Sequence, residues 1–168
     1  MINRVWAMPS HNTLTIKPIR RLVKEWVNPA ETWIEPYAGF SPMCEESNDL
    51  NPEAPTKYHM DALDFVKRYE RGTFHGVIFD PPYSPRQIAE MYKSIGRTAD
   101  MSDTQHAARL AEVKDACAER MLSNSIAICC GWNTNGFGRN RGFKLIDILI
   151  VAHGAAHNDT LVTVEIKR

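Results

Sequence analysis

The sequence carries no excess charge of either sign: its 168 residues include 20 Lys+Arg against 20 Asp+Glu. A chain so balanced does not hold nucleic acid by bulk electrostatics, although a local basic groove stays open. It also has no apolar run near the roughly 20 residues that a membrane span requires, so no membrane partner is expected. The start, Met1-Ile2-Asn3-Arg4-Val5-Trp6, lacks the long apolar stretch of a signal peptide, which makes a cytoplasmic location the expectation. None of the four cysteines (Cys44, Cys117, Cys129, Cys130) belongs to a C-x-x-C pair, so zinc-ligand spacing is missing. They read as reduced, small hydrophobes. His153 and His157 share H-x3-H spacing, but between strands rather than on a helix, and no metal is expected there. Repeats and low-complexity tracts are absent. What remains, 43% apolar and 24% charged, is the composition of a folded globular chain, of a length for one domain over 1–168.

Ile19, Leu22, Val23 and Trp26 recur at i, i+3, i+4 and i+7 after Pro18, which predicts a helix stopped by Asn28-Pro29. Thr32 to Glu35 reads as a short buried strand, and a second extended piece ends at Asp49. From His59 a helix presents Ala62, Phe65, Val66 and Tyr69 on one face. Phe74 to Phe79 is the next strand, and Ser84-Pro85 then opens a helix with Ile88, Tyr92 and Ile95 as its stripe. Arg86, Lys93 and Arg97 on that helix read as an ordinary solvated face. A longer helix covers about Thr104 to Leu122, followed by an apolar strand, Ser125 to Cys130. The strands Lys144 to Ala152 and Thr160 to Ile166 close the chain. Alternating strands and helices imply parallel crossovers, and the last short connection implies an antiparallel hairpin at one edge. The expected architecture is α/β, a mostly parallel sheet of about seven strands with helices on both faces. Ligands of such sheets bind beyond the carboxyl ends of the strands.

At the end of the Phe74 to Phe79 strand stands Asp80-Pro81-Pro82-Tyr83. The prolines offer no N–H and restrict φ, which holds the Pro81 carbonyl and the Asp80 carboxylate in a fixed relation. Tyr83 adds a flat stacking face. The plain structural alternative is a proline turn with a capping Asp and a core Tyr.

The motif resembles the D/N/S-P-P-Y/F/W signature of amino-group methyltransferases that use S-adenosylmethionine, in its adenine-N6 DNA form. Other segments follow that family's order. Thr13-Leu14-Thr15-Ile16-Lys17-Pro18-Ile19 looks like its Lys-Pro motif, and Glu35-Pro36-Tyr37-Ala38-Gly39 like the D-P-F-A-G-S-G cofactor loop. Asn48-Asp49-Leu50-Asn51-Pro52 looks like the acidic residue after the second strand, and His59-Met60-Asp61-Ala62 like the third cofactor motif. The compact layout is similar to small adenine methyltransferases of bacteriophages and mobile elements, in a bacterial cell or phage-infected host. The chain departs from the pattern at Glu35, where Asp is common, and at Phe40-Ser41-Pro42, which replaces a second glycine.

The resemblance implies a Rossmann-like class I methyltransferase fold with S-adenosylmethionine as cofactor. Asp80 and the Pro81 carbonyl would accept the two N–H bonds of an adenine amino group, drawing the nitrogen toward tetrahedral geometry. Pro82 would fix the turn, and Tyr83 would stack an extruded base. Asp49 would accept from the ribose hydroxyls and Asp61 from the cofactor's adenine amino group. Glu35 would meet the ammonium and Lys17 the carboxylate, with Pro36, Tyr37, Ala38 and Gly39 forming the loop between. Arg139 and Arg141, in a Gly/Asn-rich loop, are candidates for gripping phosphates of DNA, duplex or single-stranded. Other acceptors (cytosine N4, RNA adenine, a glutamine side chain) stay open, as does a non-catalytic binding subunit. With no residues left for target recognition, a homodimer or a specificity partner is expected to supply that surface.

Overall fold

The computed structural model describes residues 1–83, Lys93, Gly96, 106–154 and 157–168. The helix expected from Ser84 and its Arg86 and Arg97 lie outside the described residues. In chain order the strands are β1 (Ile2–Trp6), β2 (Trp33–Glu35), β3 (Glu46–Ser47), β4 (Phe74–Phe79), β5 (Met121–Gly131), β6 (Phe143–Ala152) and β7 (Thr160–Lys167). The helices are α1 (Lys17–Trp26), α2 (Ala62–Lys67) and α3 (His106–Arg120). They accompany one seven-stranded sheet of order β1-β6-β7-β5-β4-β2-β3.

Side-chain alternation along the central strands sorts the core into two layers. Val77 and Phe79 of β4, Ala127 and Cys129 of β5 and Ile34 of β2 face α2 and α3, where Phe65, Val66, Val113 and Cys117 close the layer. Their neighbours Ile78, Ile128, Cys130 and Trp33 face the other way, onto Ile19, Leu22 and Val23 of α1. The predicted α1 stripe therefore packs as its spacing demands, and helices cover both faces. Each such fully buried aliphatic or aromatic side chain contributes roughly 1.5–3 kcal/mol of transfer free energy. Gly76 shows how closely the layers fit: a Cβ there would lie 2.4 Å from the indole of Trp33, its register partner on β2.

Two expectations need correction. The hairpin does not end the sheet, because β7 sits inside it, antiparallel to both β5 and β6. A short loop dictates only that β6 and β7 pair. Which of them also meets β5 is decided by burial, and β7 is buried on both faces through Val162, Thr163, Val164 and Glu165. The second correction is β1, which pairs in parallel with β6 at the edge and was not expected at all. All five of its side chains are exposed, so it has no buried stripe to betray it.

Among the described strands β7 alone runs against the others, so β1, β2, β4, β5 and β6 end on one rim. At that rim β4 stops at Phe79. Pro81 and Pro82 cannot donate to a neighbouring strand, so the chain leaves the sheet there.

Candidate active site

A cleft of about 740 Å³ opens on this rim. Its walls include Tyr37, Ala38 and Gly39 after β2, Asp49 after β3, and Asp80, Pro81, Pro82 and Tyr83 after β4. Eight residues expected to act together from their places in the sequence thus share one cavity. Lys17, Glu35, Pro36, Asp61, Arg139 and Arg141 are not among those that line it.

Asp80 borders the cleft, and its Oδ1 accepts a hydrogen bond from the Tyr83 hydroxyl. The Thr13 hydroxyl lies 3.3 Å from that same Tyr83 oxygen. Loss of hydration pushes the Asp80 carboxyl up to about 6, while the bonds from Tyr83 and Thr13 pull against that rise. At neutral pH Asp80 is therefore mostly ionised. Burial, followed by the nearby Asp80 charge, pushes the Tyr83 phenol well above its ordinary range, so it remains a donor. The Tyr83 ring meets Trp132 edge-on, with centroids 5.7 Å apart.

Asp49 joins two loops. Its Oδ2 accepts from the Gly39 N–H at 2.9 Å and its Oδ1 from the Asn51 N–H at 2.8 Å. A carboxylate has about four acceptor sites, so both oxygens retain capacity toward a ligand. Gly39 has φ +54°, a left-handed conformation that favours glycine, and nothing lies within 4 Å of where its Cβ would stand. Buried Asn48 secures the neighbouring turns, donating to the carbonyls of Pro36 at 3.1 Å and Met60 at 3.0 Å.

Glu35 explains the unusual Phe40-Ser41-Pro42 sequence. Fully buried below the cleft loop, it accepts from the N–H groups of Met43 at 2.8 Å and Cys44 at 3.3 Å through Oε2. The chain after Gly39 turns back over this carboxyl instead of continuing through a second glycine. Burial pushes Glu35 up to about 8, against the lowering effect of those two amides. It is thus mostly protonated at neutral pH.

Other expected residues have structural occupations. Asp61 caps α2 by accepting from Leu63 and Asp64 N–H groups, and it pairs with Arg109 at 2.7 Å. Lys17 is exposed at the first position of α1. Arg141 pairs with Asp115 at 2.5 Å and donates to the Phe137 carbonyl at 2.9 Å, which ties it to α3 and its own loop. Arg139 is exposed on the same 3-10 turn, Arg139–Arg141.

The cleft also takes residues that had no assigned role. Trp132 follows β5 directly and leaves 42% of its surface exposed. Thr13 belongs to a 3-10 turn, Thr13–Thr15, whose neighbours Leu14 and Ile16 are buried. His153 binds the Ala7 carbonyl through Nδ1 and the Thr160 hydroxyl through Nε2, each at 2.8 Å, which clamps the end of β1 to β7. Among the described residues no cluster of three or more His, Cys, Asp or Glu is arranged to hold a metal. Nor is any helix there long and apolar enough to cross a membrane.

No protein-family model matches the sequence, and no curated protein matches it. Solved structures do match. TrmN from Thermus thermophilus superposes with a TM-score of 0.61 at 10% identity, over 91% of this chain and 49% of that one. PH0851 superposes at 0.57 and 10% identity, over 86% and 44%. The N-methyltransferase NodS from Bradyrhizobium japonicum WM9, in complex with S-adenosyl-L-homocysteine, superposes at 0.50 and 10% identity, over 89% and 87%. This chain spans about half the length of the first two. What it shares with these proteins is the fold, a Rossmann-like, mostly parallel α/β sheet.

Proposed function

We propose that this chain transfers a methyl group from S-adenosylmethionine to the N6 amino group of adenine in DNA. The observation that carries this reading is Asp80-Pro81-Pro82-Tyr83 at the end of β4, in one cleft with the Tyr37–Gly39 loop and Asp49. The fold is shared with NodS, itself an N-methyltransferase seen with S-adenosyl-L-homocysteine, which supports both the cofactor and a nitrogen acceptor.

The residues fit such a cofactor. Open space above Gly39 leaves room at the loop, and Asp49 retains acceptor capacity for ribose hydroxyls. When bound, the cofactor supplies an electrophilic methyl on a positively charged sulfur. The protein's own part is to prepare the nitrogen. Ionised Asp80 and the Pro81 carbonyl accept hydrogen bonds from the two N–H groups and localise the lone pair toward the methyl, and Asp80 takes the proton that the nitrogen must release once its bond to the methyl carbon has formed. As the amino group arrives at Asp80, the Tyr83 hydroxyl releases Oδ1, leaving the Tyr83 and Trp132 rings as faces for the extruded base. Positioning supplies the remainder of the rate gain. A second subunit or a specificity partner would contribute the surface that reads DNA sequence.

The test is incubation with labelled cofactor and duplex DNA, single-stranded DNA or RNA, followed by mass spectrometry of the nucleosides. The expected product is N6-methyldeoxyadenosine. N6-methyladenosine or N4-methylcytidine alone would reassign the acceptor, and a folded protein that binds no S-adenosylmethionine in calorimetry would sink the enzyme reading. Asp80→Ala should abolish transfer and leave cofactor affinity nearly unchanged.

A further inference from the structure

The segment before α1 brings a hydroxyl to the cleft, and this is the least expected feature of the site. From its resemblance that segment would contribute Lys17, yet Lys17 is exposed and off the cleft lining. Thr13 lines the cleft instead, 70 residues away in sequence from the Tyr83 hydroxyl it touches at 3.3 Å. Its place is firmly set. Leu14 is 2% exposed and Ile16 5%, and the Thr15 and Ile16 N–H groups close the turn onto the carbonyls of Asn12 and Thr13.

The direction of the bonds follows from counting protons. Tyr83 has one hydroxyl proton, and it goes to Asp80 Oδ1. Thr13 then donates either to the Tyr83 oxygen or to Asp80 itself, and in both cases its hydroxyl joins Tyr83 and Asp80 in one hydrogen-bonded chain. Such a chain polarises each bond in turn and strengthens the last, charge-assisted one. We infer that Thr13 is a positioning residue, which braces the Tyr83 hydroxyl on Asp80 and so keeps that carboxylate ionised and oriented. The inference rests on the proposed function only for its consequence; the brace itself stands on the three side chains.

The brace explains how a carboxyl in a poorly hydrated cleft stays charged at neutral pH. Without the Thr13 donor the hydrogen bonding that favours the Asp80 carboxylate is weaker, and desolvation acts with less opposition. Ser in place of Thr keeps the donor, whereas Val keeps the shape and removes it.

The experiment is a carboxyl carbon NMR titration of the unaltered protein, Thr13→Val, Thr13→Ala and Thr13→Ser, with Asp80→Asn assigning the signal. Val and Ala should raise the Asp80 midpoint by about one pH unit, and Ser should restore it. Where transfer is measurable, the acid limb of kcat/KM, which reports the free enzyme, should move up equally in Val and Ala. A midpoint unchanged in either folded variant, or raised as much in Ser, overturns the brace. The titration needs no substrate, so a shift without any methyl transfer supports the brace and counts only against the proposed reaction.

Discussion

Asp80 and Glu35 are two acidic groups whose burial favours the protonated form, and the sign of that preference can be measured. Below their ordinary values, 3.8 and 4.5, both folded and unfolded chains are protonated and the fold keeps its full stability. As pH rises toward about 6 for Asp80 and about 8 for Glu35, the unfolded chain releases protons that the folded chain retains. Stability then falls, by up to about 1.4 kcal/mol per pH unit for each group, and levels off above the folded value. Glu35→Gln keeps an oxygen for the Met43 and Cys44 N–H groups and removes the titration. Urea unfolding at pH 5, 6, 7 and 8 should therefore show a shallower decline for Glu35→Gln than for the unaltered protein. Parallel declines would mean that Glu35 is ionised in its pocket.

Among the described elements, β1 is an edge strand held mainly through its main-chain ladder. It pairs with a single neighbour, exposes every side chain, and is fixed beyond its ladder by the Met1 ammonium on the Ile146 carbonyl at one end and by His153 on the Ala7 carbonyl at the other. Its amides should exchange with solvent well before those of β4, β5 and β7, as amide exchange followed by mass spectrometry can show. The opposite extreme is the contact between β2 and β4, where Gly76 leaves room for the Trp33 indole. Gly76→Ala should cost about 1–3 kcal/mol in urea unfolding, because the ring has packed neighbours behind it. Periodicity made α1, β4 and the long third helix visible, since each has a buried stripe facing a layer of the core. It could not reveal β1, whose place depends on main-chain bonds to β6, nor the interior position of β7. Thr163 and Glu165 alternate with valines as on a half-solvated strand, yet Glu165 is buried beneath the Phe137 loop, accepting its amides.

For the whole molecule, charge balance has a consequence for partners. The net charge is zero, no Lys or Arg stands among the described residues that line the cleft, and Arg141 is committed to Asp115. If the chain acts on DNA as proposed, binding should lean on stacking and shape, with few phosphates neutralised. Fluorescence titrations over a range of salt should give a slope of log affinity against log salt shallower than about −2. A steep slope would point instead to a cationic surface away from the cleft. Trp132→Ala should weaken single-stranded binding at all salt concentrations, by about 1–3 kcal/mol per base stacked.

The sequence by itself determined which residues meet at the ends of β2, β3 and β4. Each of those residues directly follows a buried strand, and a strand's end carries its next residues to the rim whatever its neighbours are. Tyr37, Gly39, Asp49 and Asp80 were legible for that reason. Only the tertiary structure decided the other wall of the cleft, because Thr13, Trp132 and His153 come to Asp80 and Tyr83 through sheet order and long-range packing. It also decided which charged residues stay away from the cleft. Asp61 caps a helix and pairs with Arg109, and Arg141 pairs with Asp115, partners that packing brings in from distant parts of the chain. Local spacing carries information along the chain, while the partner that finally satisfies a side chain is chosen by what packing places beside it.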